Sequence, residues 1–280
     1  MILASHGIVA SSGGVVPLLL DSYSGASVAY SLRKISASYT GYAVRIRRNT
    51  DNASQDIGFD GSGNLDTASI TSFLGANSGF VSIWYDQSGN SNNAVQVSLS
   101  QQPLIYNSGS LITVNSKPSI YLNGGYTLGL TNTVTLGNFT TLWVSKKDTK
   151  SDDYYIMLNK EFAGGNFFGE PLSSGVPFAN STSFFINTTL GNTSASNTEN
   201  TQHLAYLNRR NSTQAVGQFN NSNNSYNNSV NSVAVPINFI ANYGTFSYKG
   251  NVQEILIYSS DKSNDRSGIS SDINTYYSIY

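Results

Sequence analysis

Residues 42–48 alternate along the chain. Tyr42, Val44 and Ile46 fall on one side and Arg45 and Arg47 on the other, the period-two pattern of a half-buried strand. Short apolar runs of four to seven residues recur at 56–59, 80–85, 103–106, 119–122 and 139–144, then at 154–158, 183–186, 203–207, 214–219, 237–240 and 252–258. Gly, Asn, Ser and Asp punctuate the gaps between them. Many short strands at this spacing, without recurrent long helices, predict an all-β fold of the sandwich or jelly-roll kind. A few helical signals interrupt the series. Val28, Leu32 and Ile35 have loosely helical spacing, which predicts a short helix or turn over 25–35. Asp66 is a good N-cap for a helix over 68–74 that stops at Gly75. Ser263 is a good cap for a last helix starting near 264–266, with Ile269, Ile273 and Tyr276 or Tyr277 on its apolar side. The stretch 220–231 is nearly all Asn and Ser around Tyr226 and reads as a solvated loop. Residues 1–20 read as an N-terminal arm, with Ser11-Ser12-Gly13-Gly14 between two apolar patches, and 21–280 as a single domain.

Composition narrows the function. The 280 residues carry a formal net charge of −1, and only 11% are charged, so nothing in the chain attracts nucleic acid or an anionic membrane surface. Eighteen Tyr and thirteen Phe exclude a disordered chain. There is no cysteine, which removes disulfides, thiol nucleophiles and thiolate metal sites. The apolar run 15–20 is short and broken by Pro17, and no basic segment precedes it, so neither a signal peptide nor a membrane insertion is expected. A surface rich in Asn, Ser and Tyr suits an extracellular setting. The expectation that reconciles the two is a virion protein, made in a host cytoplasm and released by lysis.

The densest candidate chemistry follows the run 80–85. Trp84 and Tyr85 lead directly into Asp86, Gln87, Ser88, Gly89 and Asn90. One reading is a turn that locks itself, with Asp86 accepting from nearby backbone N–H groups and Gly89 at positive φ. The other is a sugar site in which Trp84 or Tyr85 offers a stacking face and Asp86, Gln87 and Asn90 supply hydrogen bonds. No pattern for a metal site, a phosphate loop or a cofactor is present. His6 and His203 lie in unrelated contexts; His203 opens an apolar strand and reads as a solvated or satisfied strand residue.

Two stretches together resemble a known family. Residues 29–33, Tyr39-Thr40-Gly41, 44–48, Asp51-Asn52, Asp56-Ile57-Gly58 and 84–90 resemble the N-terminal half of the α-L-arabinofuranosidase B catalytic domain. Residues 246–280 resemble the closing strand and helix of concanavalin A-like (laminin-G-like) sandwiches. The resemblance implies a β-sandwich. In the family, a strand Glu is the nucleophile and an Asp is the acid/base, the two carboxyl groups that a retaining glycosidase requires. Here Asn242 stands about where the Asp belongs, and the best match for the nucleophile strand, 177–187, contains no Glu or Asp. Neither carboxylate carries over. Glu161 and Glu170 flank a glycine- and Phe-rich loop, and Glu254 reads as the outward-facing residue of the last strand. The start His6–Ser12 resembles proteins found among bacteriophage virion genes.

These readings lead to the expectation of a non-enzymatic bacteriophage structural protein in a head decoration, head fibre or tail. Its arm would bind other virion proteins, its loops would bind host glycans, and a homo-oligomer is expected. Two alternatives stand beside it: a divergent glycoside hydrolase of arabinofuranosidase type, and a secreted lectin-like module.

Overall fold

The structure is a computed structural model, described for residues 17–148, 156–159, 167–169, 182–186, 189–193, 200–220, 222, 225–227, 234–241 and 248–280. Helix α1 (Leu19–Ser22) leads into β1 (Val28–Ser31), β2 (Val44–Arg48), β3 (Ser54–Ile57), helix α2 (Thr67–Leu74), β4 (Gly79–Trp84), β5 (Ala94–Val95) and β6 (Leu104–Asn107). The short β7 (Ser110–Leu111), β8 (Thr113–Val114) and β9 (Lys117–Pro118) precede β10 (Ile120–Asn123), β11 (Leu128–Leu136) and β12 (Phe139–Lys147). Then come β13 (Ile156–Leu158), β14 (Phe167–Gly169), β15 (Thr182–Ile186), β16 (Thr189–Thr193), β17 (His203–Arg209) and β18 (Ala215–Phe219). The chain closes with β19 (Ser225–Asn227), β20 (Val235–Ile240), β21 (Lys249–Tyr258) and helix α3 (Arg266–Tyr277).

Among the described residues all of the strand pairs are antiparallel; β8 and β9 pair with each other apart from the rest, and the other strands form one curled sheet that folds into two layers. The first layer is built on β21. It pairs along one side with β12 and along the other with β1 and then β10. From β12 the layer continues through β17 and β18 to β19. The second layer runs β3–β2–β4–β5–β11–β20–β13, and then through β14 and β15 to β16. The pairing Tyr121↔Leu104 carries the sheet from β10 to β6, and β6 pairs with β4. The expected β-sandwich is therefore the observed fold.

The two layers differ in how they are covered. Both faces of the first are buried. Val28, Tyr30, Trp143, Ala205, Leu207, Ile255 and Ile257 point into the core between the layers. Their neighbours Ala29, Leu142, Val144, Leu204, Tyr206, Leu256 and Tyr258 point the other way, under α1 and α3. From α3 the residues Ile269, Ile273 and Tyr277 reach down onto that outer face at 3.6-residue spacing. The second layer buries one face only, and its strands alternate: Val44, Ile46, Ile57, Trp84 and Ala94 are buried, while Arg45, Asp56, Ile83 and Val95 are half-buried. Helix α2 closes one end, capped by the Asp66 carboxylate accepting from Ser69 N and ending at Gly75 (φ 56°). A Cβ on Gly79 would lie 2.3 Å from Leu74 Cδ1, so glycine there lets the helix sit on β4.

Several expectations are corrected. The segment expected to be helical around Val28 is strand β1, buried at every position because it lies between the core and the outer helices. Burial on both faces removes the alternation that would have marked it as a strand. Leu19 and Leu20, inside the expected arm, are buried in the outer cluster, and Leu20 N donates to Ile35 O. Residues 1–16, with His6, lie outside the described residues. The C-terminal helix begins at Arg266, within the expected start, but its cap is Asp265 and not Ser263, whose backbone N–H donates to Asp261 Oδ1. Strand β19 falls inside the expected Asn/Ser loop and pairs with β18, which polar side chains with no apolar alternation could not announce.

Two measurements follow from this packing. Trp84 is fully buried, and its indole N–H has no partner. Trp84→Ala is expected to lower stability by about 3–5 kcal/mol, whereas Trp84→Phe removes the orphan donor and should cost less than about 1.5 kcal/mol; urea melts of both variants check this. Burial raises the phenols of Tyr30, Tyr258 and Tyr277 well above the ordinary value of 10. The unfolded chain then releases those protons first as pH rises. Stability should be level below pH ~10 and fall above it by about 1.4 kcal/mol per pH unit for each such tyrosine. Denaturant midpoints from pH 8 to 11 that stay constant would refute it.

Candidate functional site

Strand alternation sends Trp84 and Tyr85 in opposite directions. Trp84 enters the core, with its ring centroid 5.7 Å from that of Tyr30. It offers no face to a ligand. Tyr85 is half-buried on the opposite side, where its hydroxyl donates to Asp56 Oδ1 at 2.6 Å. Arg45 holds the same carboxylate with two bonds, Nε to Oδ1 at 2.8 Å and Nη2 to Oδ2 at 2.7 Å. The guanidinium keeps the Asp56 carboxyl below the usual carboxylate range, while burial and then the Asp56 charge push the Tyr85 phenol well up. Tyr42, half exposed, lies beside Tyr85 at 6.2 Å between centroids.

The polar residues after Tyr85 are spent on the fold. Asp86 is buried, and its carboxylate takes four donors: Ala29 N (2.8 Å) and Ser88 N (2.9 Å) on Oδ1, Ser88 Oγ (2.7 Å) and Asn92 N (3.1 Å) on Oδ2. A carboxylate so filled has little left for a ligand. Gln87 is buried as well. Its amide donates to Ser31 O and Arg33 O, and its carbonyl accepts from Ile35 N. Asn90 donates to Ala26 O and Ser27 O. Gly89 has φ 92° with open space around it, so glycine is required there by backbone angle alone. Of the five residues singled out in this turn, the structure leaves Tyr85 on the outer face and turns Trp84, Asp86, Gln87 and Asn90 to holding the layers together.

Glu254 corrects another expectation. It does not face outward: it is 1% exposed. Arg33 grips it with Nε at 2.9 Å from Oε2 and Nη2 at 3.1 Å from Oε1, and Ser31 Oγ donates to Oε2 at 2.7 Å. Tyr277 OH donates to Oε2 at 3.2 Å, and Arg33 Nη2 also reaches Asp272 Oδ1 at 2.8 Å. β21 sits mid-layer with helix α3 over its outer face, so polar positions on this strand are enclosed. His203 is likewise buried and satisfied, with its ring nitrogens 3.1 Å from Ser145 Oγ and Thr201 O. Glu161, Glu170, Asn242 and residues 177–181 lie outside the described residues, and no cluster of three metal-ligating side chains occurs among those described.

The sequence reading missed a feature on the outer face of the second layer. Cross-strand pairing aligns Asp56, Arg45, Ile83, Val95, Gly129 and Phe239 in one row over β3, β2, β4, β5, β11 and β20. A cleft of about 420 Å³ opens at its far end. Val95, Gly129 and Phe239 of that row line it together with Gln96, Val97, Gln101, Thr127, Leu130 and Thr131. The Thr127 hydroxyl lies 3.1 Å from both Ile240 O and Ala241 O, tying the cleft to the end of β20. There Ala241 is buried at φ 57°, a left-handed conformation for a non-glycine residue. Gly129 was the one available signal, a glycine within a strand. No strand was expected over 128–136, so the signal had no context.

Residues 22–168 match the sequence profile of the family described as Alpha-L-arabinofuranosidase B, catalytic. No curated protein sequence matches the chain. Three solved structures cover 91% of it. One is a GH54 α-L-arabinofuranosidase soaked with a cyclic sulfate inhibitor (13% identity, TM-score 0.67). Another is a Glu-to-Gln mutant of a GH54 α-L-arabinofuranosidase soaked with 4-nitrophenyl α-L-arabinofuranoside (13%, 0.67). The third is an arabinofuranosidase complexed with arabinofuranosyl-α-1,2-xylobiose (12%, 0.68). At that identity the likeness speaks for the fold, and the chain spans 64% of the length of each of these proteins. The expected bacteriophage structural role is overturned here, because the family matched is one of catalytic domains. With more than half of its 280 residues matched to that profile, the chain belongs to the α-L-arabinofuranosidase B catalytic-domain family.

Proposed function

We propose that the chain is a glycoside hydrolase-type domain acting on α-L-arabinofuranosyl groups of arabinose-containing glycans. The observation that carries this reading is the family match over residues 22–168. The likeness of the backbone to three arabinofuranosidases over 91% of the chain supports it.

Hydrolysis with retention needs two carboxyl groups roughly 5–5.5 Å apart, one as nucleophile and one as acid/base. Glu254 is not available for either role, because its oxygens are taken by Arg33, Ser31 and Tyr277 inside the protein. Glu161 and Glu170 are therefore the acids to test first. A second reading is favoured by Asn242, since an amide cannot act as a general acid. In it the domain binds arabinosylated glycans without cleaving them.

Release of 4-nitrophenol from 4-nitrophenyl α-L-arabinofuranoside by the purified protein tests the first reading. Glu161→Gln or Glu170→Gln is expected to reduce kcat about 10²–10⁴-fold with the melting temperature unchanged. Absence of turnover together with binding of an arabinosylated oligosaccharide would select the second reading. Glu254→Gln should behave differently from either. It leaves Arg33 with Asp272 as its remaining carboxylate and is expected to cost about 1–3 kcal/mol of stability, seen as a shifted urea midpoint whatever the activity.

A further inference from the structure

A second cavity, of about 220 Å³, lies between helix α3 and the end of β18, on the far side of the core from the outward row of the second layer. One face of the helix lines it, with Arg266, Ser267, Ser270 and Ser271 in its first two turns. The acids at the two ends of this stretch are turned away. At about 3.6 residues per turn, Asp265 and Asp272 fall on the opposite side of the helix, where they pair with Lys262 and Arg33. Arg266 is thus the only charged residue of the described lining. Its guanidinium carbon lies 5.5 Å from the centre of the Tyr206 ring. Its charge also offsets part of the rise that burial gives the Tyr280 phenol at the edge of the cavity.

Ser270 is only 8% exposed, and its hydroxyl makes no hydrogen bond among the described residues. A helical Ser or Thr can return its hydroxyl to the carbonyl four residues back, as Thr275 does to Ser271 O at 2.7 Å. Ser270 instead presents a nearly buried, unpartnered hydroxyl to the cavity, and buried polar groups are ordinarily bonded. Asn220, just beyond β18 on the other wall, has its side-chain carbonyl fixed by Leu204 N at 2.9 Å, so its amide N–H groups are the part left over. Other polar groups of the lining are already occupied. The Gln218 amide donates to Ser222 O, and Asn274 binds the backbone of Ile279 and Tyr280 through both ends of its side chain. The cap residue Asp265 makes no side-chain bond to the first turn, so the Ser267 N–H has no capping carboxylate.

A cation, a buried hydroxyl, an amide and an uncapped helix N-terminus line a cavity whose described wall holds no acid. That set suits an anion with several acceptor oxygens. A neutral ligand would leave the Arg266 charge without a counterpart, and a carboxylate has only two oxygens to share among these donors. We propose that the cavity is a binding site for a tetrahedral oxyanion, a phosphate or sulfate group, free or carried by a small molecule. The inference stands on the first layer alone and is independent of the arabinofuranosidase-type reading.

Isothermal titration calorimetry of the full chain at constant ionic strength, with inorganic phosphate, inorganic sulfate, glucose 6-phosphate and acetate, tests the proposal. Phosphate or sulfate is expected to bind at one site per chain, and acetate about tenfold more weakly or less. Tighter binding of glucose 6-phosphate than of inorganic phosphate assigns the group to a small molecule, and the reverse order assigns it to the free ion. Arg266→Gln is expected to weaken binding about tenfold or more, and Ser270→Ala about threefold. Arg266→Lys keeps the charge and should retain part of the affinity. Ser270→Ala removes an oxygen with no bond in the fold, so its melting temperature without ligand should match that of the wild type. It decides the case should circular dichroism show that Arg266→Gln is unfolded. Absence of phosphate and sulfate binding overturns the proposal. So does acetate binding as tight as theirs, or wild-type affinity in Ser270→Ala, joined by Arg266→Gln where that variant folds.

Discussion

The fold depends on a buried carboxylate at the seam between its layers. Asp86 follows β4 in the second layer, yet one of its four donors is Ala29 N, in the middle of β1 in the first. Gln87 N donates back to Ala29 O, and Tyr30 OH reaches Asn92 O at 2.5 Å, so the turn and β1 are stitched in both directions. A buried charge of this kind is tolerated only when its lone pairs are filled. That requirement explains why the turn is crowded with Asn, Ser and Gln. From there the restraint passes to the closing elements. Gln87 fixes the carbonyls of Ser31 and Arg33, and Arg33 holds Glu254 on β21 and Asp272 on α3. The first and last strands and the terminal helix are thereby joined through side chains contributed by three distant parts of the chain.

This arrangement decides which surface is left for function. The first layer is enclosed on both sides, by the core and by α1 and α3. The second layer has the core on one side, and neither α1 nor α3 packs on the other. Its outward row in register, from Asp56 to Phe239, is half-buried throughout, which suits a shallow binding face. Polar chemistry is distributed unevenly along it. Near β2 and β3 the Arg45–Asp56 pair and the Tyr85 hydroxyl satisfy one another, whereas at β11 and β20 the side chains are neutral and the cleft opens.

The second layer was legible in the sequence because one buried face imposes alternation, which 44–46 shows; Tyr42, expected on the side of Val44 and Ile46, precedes β2 and is half exposed, and Arg47 is buried on its bonds to Gln102 and Asn52. The first layer was harder. With both faces buried, β1 reads Val-Ala-Tyr-Ser, and its accidental helical spacing with Leu32 and Ile35 prevails when local pattern is the only guide. Glu254 was misread for a related reason. A lone acid in an apolar strand ordinarily faces solvent, and only tertiary structure reveals that Arg33, more than 200 residues earlier, stands opposite. The helix over 67–74 was read correctly because its cap, Asp66, and its stop, Gly75, are local signals. Of the candidate site, the turn was found but its role was divided, and the cleft was not found, because it is assembled from strands that pair only after folding.

The turn and the cleft are made from the same chemistry of amides, hydroxyls and aromatic rings, and they differ in burial and in whether those groups already have partners. Gln87 is buried, and its amide N–H bonds end on main-chain carbonyls, so a sugar would have to displace bonds that hold β1 in place. Gln101 is half-buried, and its amide has no such obligation among the described residues. A ligand that bonds to Gln101 therefore trades water for protein at little structural cost, while one that bonds to Gln87 or Asp86 would expose an unpaired backbone group costing about 1–3 kcal/mol each. In a chain this rich in Asn, Gln, Ser and Thr, composition alone cannot separate recognition from self-bonding. The separation is made by which donors the fold has already used, and on that criterion the turn after β4 is given over to holding the layers together.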